Sequence, residues 1–257
     1  MTAMSVDLLV LVSGIVLFGG LVKGIAGFGY AIASTALLAT VLSPATAVVL
    51  MILPMLVANL TLVRELDLDG LTRCVERFWP FGLTAMGGTA VGMLLLDAVP
   101  ASVLTLGLGA FTLLYVAGKQ PWVRLPGEAS ARAYCFKTGA GPQVLLGLVS
   151  GVIFGLANVA VQVVAYLDSL DLDRSTFVGV LAMMLIGIST LRIGMAWGLG
   201  LYAAGPLLAS SAIVSVPGVA GVELGRRTRR FIPDRYEQAG VLALLVVIGV
   251  RLLAKGL

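Results

Sequence analysis

Two stretches of this chain, GTAVGMLLLDAVP at residues 88–100 and GVELGRRTRRFIP at residues 221–233, share the spacing of two glycines and a proline but carry opposite charge. Gly88, Gly92 and Pro100 match Gly221, Gly225 and Pro233 at a single offset of 133 residues, 221 minus 88. The first stretch ends in LLLDAVPA, which has no basic residue, whereas the second runs into RRTRRFIPDR. Arginine and lysine collect on the cytoplasmic side of membrane proteins. Equivalent turns are therefore expected on opposite faces, which makes the two halves inverted repeats. LVSG at residues 11–14 recurs at 148–151, an offset of 137 (148 minus 11), and extends the duplication toward the start of each half.

The surroundings of these stretches fit a membrane. Of 257 residues, 59% are hydrophobic and 12% charged, against roughly 25% charged in an average soluble domain. Long charge-free intervals run from Lys23 to Arg64, Arg77 to Asp97, Asp97 to Lys119, Lys137 to Asp168 and Arg192 to Glu223. A helix needs about 20 apolar residues to cross the hydrocarbon, and these runs lack the alternation of barrel strands. The expected class is all-α, a polytopic transmembrane helical bundle. MTAMSVDLLV has no basic segment of the kind that opens a cleaved signal peptide. The net charge of +4 records topology and does not point to nucleic acid.

Inversion demands an odd number of crossings between equivalent points. Counting from Asp97 to Arg226 gives four apolar segments, 101–118, 143–165, 175–198 and 199–222, so one of them enters and leaves on the same face. Residues 138–167 are over-long and carry Asn158 near their middle, which marks them as a helical hairpin. Residues 6–42 form the matching hairpin, with GGLVKGIAGFG (19–29) at its tip or break. Residues 1–120 are then repeat 1, a broken or re-entrant hairpin plus three transmembrane helices. Residues 121–141 are a cytoplasmic connecting loop, and residues 142–257 are repeat 2 with the same content. Connections 64–77, 119–142, 168–174 and 226–235 fall on the cytoplasmic side and hold most of the basic residues, as well as Cys74 and Cys135. Reduced thiols are expected there.

A glycine-rich break at membrane depth is tolerated where it is buried or lines a cavity. Freed N–H groups at the start of a half-helix then suit an anion. Gly24, Gly27 and Gly29, with Phe28 among them and Lys23 beside them, form the first part of a candidate substrate site. Lys23 lies either in that site or at an external turn between two crossing helices, with the glycines packing the helices together. Asn158 and Gln162 are four residues apart, on one face if helical. Their amides either donate to a substrate or bind helices together. Arg192 stands alone in an apolar run, and Asn59 is its counterpart at the offset of 133. Both either face the centre of the bundle or, for Arg192, the side chain reaches toward the membrane surface near Trp197 and Tyr202.

Enzyme chemistry has little to stand on. The chain has no histidine, which removes the usual Ser–His pair. It shows no cluster of metal ligands and no phosphate loop of the GxxxxGK type. No cofactor or metal is expected.

FGGLVKGIAGFGYAIAS (18–34), LSPATAVVL (42–50), GLVSGVIFGLANVAVQVVAYL (147–167) and GVELGRRTRRFIP (221–233) resemble the TauE/SafE family of sulfite and organosulfonate transporters over essentially the whole chain. The second motif departs from the family's glycine-rich core, reading Asn158-Val159-Ala160-Val161-Gln162. The resemblance implies a multi-pass permease of the cell inner membrane that carries sulfite, a sulfonate or a related small anion. Alternating access is the expected mechanism, with a coupling proton or sodium ion and a homodimer both compatible with it. The alternatives are an anion channel lined by the same residues, or a membrane enzyme or scaffold that transports nothing.

Overall fold

The computed structural model describes residues 4–26, 29–62, 68–96, 98–118, 140–158, 174–202, 205–229 and 234–257, and among them it contains helices and no strands. In chain order the helices are α1 (Val6–Ala26), α2 (Tyr30–Val41), α3 (Pro44–Leu50), α4 (Ile52–Leu62), α5 (Leu68–Leu95), α6 (Ala101–Gly118), α7 (Ala140–Ala157), α8 (Arg174–Gly198), α9 (Pro206–Arg229) and α10 (Asp234–Gly256). Among the described residues four stretches are long and apolar enough to cross a membrane: Val6–Ile25, Pro44–Thr61, Ala101–Gly118 and Pro206–Thr228. Many large apolar side chains stay exposed, Val10, Leu83, Leu114 and Val216 among them. Such a surface suits lipid and not water.

Glycines decide how the helices meet. A Cβ on Gly221 would lie 2.1 Å from the Leu17 carbonyl oxygen, and one on Gly225 would lie 2.3 Å from that of Leu21. On the other helix of the pair, Gly20 and Gly24 stand equally close to Gly218 and Val222. Contacts thus advance together along α1 and α9, which run parallel with backbones touching, in the manner of small residues four apart in membrane helices. The second such pair is α5 with α7. A Cβ on Gly88 would meet the Leu148 carbonyl oxygen at 2.1 Å, and one on Gly92 that of Val152 at 2.4 Å. Each half therefore lends its first long helix to the other half: α1 packs on α9, and α7 on α5. Helices α6 and α10 pack against each other in the opposite sense, with Gly109 beside Leu253 and Gly256 beside Leu106.

The two glycine seams correct one expectation. Leu17, Leu21 and Gly24 play the parts of Leu148, Val152 and Gly155, an offset of 131 (148 minus 17). The LVSG pair at an offset of 137 is a coincidence of letters. The matching contacts of the two seams thus lie 131 residues apart on α1 and α7, and 133 apart on α5 and α9.

Helix ends follow local chemistry. Helix α3 starts at Pro44, whose fixed φ suits a first turn, and the Ser43 side chain accepts from the Thr46 N–H at 3.2 Å. It stops four residues short of Pro54. Proline has no N–H to give the Leu50 carbonyl, and its ring crowds that oxygen, so the chain turns at Met51 and restarts as α4. Gly29 opens α2 with φ 92°, a left-handed conformation that glycine adopts at little cost. At the far end of α2, Lys255 donates to the carbonyls of Ala39 and Thr40 at 2.8 and 3.2 Å. A cation there also complements the helix dipole.

The expected hairpin at 6–42 is α1 and α2 on either side of the glycine break. Of the second expected hairpin the structure describes only the first arm, α7, and Asn158 after it with φ 58°; the rest lies outside the described residues. Connection 64–77 is largely helical, because α5 already begins at Leu68. Leu68, Leu71, Val75 and Phe78 recur at helical spacing, so charge marks a side of the membrane without ending the helix. Segment 199–222 shifts to α9 because Gly200 and Gly205 take φ of 71° and 58° and build a turn first.

Candidate functional site

Among the described residues two cations are buried inside this bundle, each held by an asparagine. Lys23, in the last turn of α1, is 7% exposed and donates from Nζ to Asn59 Oδ1 on α4 at 2.6 Å. Its ammonium also stands 5.8 Å from the centre of the Tyr30 ring at the start of α2. Arg192, in the C-terminal third of α8, is fully buried and donates from Nη1 to Asn158 Oδ1, at the end of α7. Its guanidinium lies 5.1 Å from the centre of the Phe154 ring. Aromatic faces attract cations, more so out of water.

The Arg192 pair is fastened from behind. Asn158 uses both amide hydrogens within the protein, one to Thr35 Oγ1 on α2 at 3.1 Å and one to the Val48 carbonyl at 3.0 Å. Its oxygen is thereby aimed at Nη1. The Val48 oxygen belongs to the last turn of α3, whose carbonyls lack helical partners. The next two are taken up the same way: Tyr202 donates to the Val49 carbonyl at 2.9 Å, and Ser211 to that of Leu50 at 2.7 Å. Three consecutive carbonyls at the end of α3 thus accept from three side chains that lie later in the chain, Asn158, Tyr202 and Ser211.

What remains of Arg192 is its other edge. Nε and Nη2 are buried and have no hydrogen-bond partner among the described residues, and neither has Ser189 Oγ, one turn earlier on α8. These two nitrogens carry the parallel N–H bonds with which a guanidinium grips two oxygens of one anion. Asn59 Nδ2, Tyr30 Oη and Ser34 Oγ are likewise buried without partners among the described residues. The described ion pairs are far more exposed, Glu223 with Arg226 and Arg227 near the end of α9. An uncompensated charge in a low-dielectric interior costs several kcal/mol, and no described carboxylate pairs with either of these cations.

The structure sorts the candidate residues as follows. Lys23 is buried against Asn59 and does not sit on an external turn. Gly24 serves helix packing, its α-carbon set against Val222 and Gly225 of α9, and is not a freed anion donor. Gly29 makes the turn into α2. Asn158 reaches Arg192 as its orienting partner, and its own N–H groups are spent. Arg192 does not reach toward the surface, and Tyr202 is buried with it, while Trp197 alone of that group is exposed. Gly27, Phe28 and Gln162 lie outside the described residues. Sequence reasoning passed over Ser189, Thr35, Tyr202 and Ser211. Ser189 had a signal, three residues from Arg192 and so on its face of the helix; the others depend on the turn that Pro54 imposes.

Residues 12–252 match the protein family described as Sulfite exporter TauE/SafE. Neither the curated proteins nor the solved structures compared with the chain give a match.

Proposed function

The chain belongs to the sulfite exporter TauE/SafE family and is a multi-pass membrane transporter rather than an enzyme, and on that premise we propose that it is a secondary carrier for sulfite, an organosulfonate or a related small oxyanion in the cell inner membrane. The single observation behind this is Arg192, fully buried, with the Nε and Nη2 edge unpartnered among the described residues and a neighbouring serine hydroxyl in the same condition. The anion takes that edge bidentately, and Ser189 donates a further hydrogen bond. Asn158 holds the guanidinium so that the edge keeps its direction. Lys23 adds a second positive charge within the bundle.

Alternating access by two inverted halves is the mechanism we infer. It is supported by the parallel runs of α1 with α9 and α5 with α7, the opposed run of α6 and α10, and the matching glycine seams. A site between exchanged helices can be opened to either side by rocking one pair against the other. The test is flux of radiolabelled sulfite in proteoliposomes. A carrier saturates and shows counterflow, trapped unlabelled sulfite speeding the entry of label. Arg192→Gln abolishes both while the protein still inserts. Currents that follow the electrochemical gradient without counterflow would establish a channel instead, and unchanged flux in Arg192→Gln would remove Arg192 from the site.

A further inference from the structure

Once the anion is given to Arg192, the second buried cation still needs an account. Lys23 as an ammonium carries three N–H bonds. One goes to Asn59 Oδ1, and the Tyr30 ring lies over another side of it. Beside it Asn59 Nδ2 is a further donor without an acceptor among the described residues. The group has a surplus of donors and a shortage of acceptors.

Removing one proton from Lys23 repairs this without moving the backbone. A neutral amine has a lone pair on Nζ. A half-turn of the Asn59 amide brings Nδ2 to the place of Oδ1, where it donates to that lone pair. The two orientations of an asparagine amide have nearly the same shape, so one contact serves both states of the lysine. The Arg192 pair has no such freedom. Arginine does not give up its proton in proteins, and the Asn158 amide is locked by Thr35 and Val48.

We propose that Lys23 is the proton carrier of this transporter, protonated while the anion is bound and neutral when the empty protein returns, so that one proton travels with each anion. This rests on the reading of Arg192 as the anion's ligand. In the step itself an Nζ–H bond breaks with its electron pair left on nitrogen. The proton passes to water on the side to which the site is open, and the reverse occurs on the other side; the anion is chemically unchanged.

The neighbours of Lys23 offer no rival among the described side chains. From α2 the titratable group is Tyr30. From α9 they are Glu223, Arg226 and Arg227, engaged with one another at exposed positions. From α10 they are Arg251, which is exposed, and Lys255, which is bonded to the end of α2. From α4 the partner is Asn59, which does not titrate.

The experiment uses Lys23→Arg and Lys23→Gln, one fixed in charge and one neutral, neither able to carry a proton. Proteoliposomes are loaded with radiolabelled sulfite or with methanesulfonate, which does not titrate near neutrality. The charge moved per anion is read from how the methanesulfonate concentration ratio at which net flux vanishes responds to membrane potential. In the wild type one proton with one monovalent anion moves no net charge, so that ratio is indifferent to the potential and shifts with an imposed pH gradient as one proton per anion requires. Each variant moves one more negative charge per anion than the wild type, with a null point for methanesulfonate indifferent to pH. Wild-type methanesulfonate flux that ignores the pH gradient, or a variant with wild-type coupling, overturns the proposal. Wild-type vesicles that carry neither anion defeat the Arg192 reading instead, so the two failures are told apart.

Discussion

Lys23 with Asn59 and Arg192 with Asn158 hold a cation by the same means, a buried amide and an aromatic face, yet the two pairs are built in opposite order. In the first half the cation sits on the first helix and the amide on α4; in the second half the amide ends the first helix and the cation is on α8. Asn59 and Arg192 are 133 residues apart, the offset expected between the two halves. What separates the pairs is the amide. Asn158 is bonded on three sides, while Asn59 has a nitrogen unpartnered among the described residues. Similar architecture can therefore fix one charge as a ligand and leave the other free to change.

The most damaging way to break the comparison is Asn158→Asp. It sets a carboxylate against Arg192 and supplies from within the negative charge that the anion would bring. Sulfite flux is expected to fall about 100-fold, matching the ~3 kcal/mol at stake in a buried charge pair. Asn59→Asp leaves the Arg192 edge untouched, and the loss is smaller in the same proteoliposome assay.

The glycine seams test whether the halves are equivalent in packing. Gly88→Ala and Gly221→Ala both drive a methyl group to within 2.1 Å of a backbone carbonyl. Each should cost about 1–3 kcal/mol, as overpacking does, and lower the unfolding temperature in detergent by similar amounts. Gly107→Ala, with nothing within 4 Å, should leave it unchanged or raise it.

Asn158 also carries a backbone demand that Asn59 lacks, φ 58°. Asn158→Gly and Asn158→Ala lose the same side-chain bonds, but glycine accepts the conformation. The alanine variant should be less stable by about 1 kcal/mol, read by the same thermal melts. Smallest in its effect on flux is Ser211→Ala, which leaves the buried Leu50 carbonyl without that bond at a cost of about 1 kcal/mol; flux should follow stability and not fall further.

Much of this was legible in the sequence. Charge-free runs gave the helical membrane class, and GTAVG and GVELG marked the two seams, because close backbone packing leaves room for no other residue. Arg192 and Lys23 were visible because a charge in an oily run needs a reason. The partners were harder. Asn158 meets Val48 across a gap in sequence that nothing local announces; Ser211 has its role because Pro54 leaves the Leu50 carbonyl without a donor, and Tyr202 reaches Val49 at the turn that follows. The LVSG match misled because letters repeat without sharing a neighbour, whereas Leu17 and Leu148 share one without a longer match.

The most direct test of the account is equilibrium binding of radiolabelled sulfite to purified protein, wild type beside Arg192→Gln, with both shown to be folded by thermal melts. The account predicts saturable binding at one site in the wild type and an affinity at least about 100-fold weaker in the variant. Equal affinity in the two proteins would contradict it.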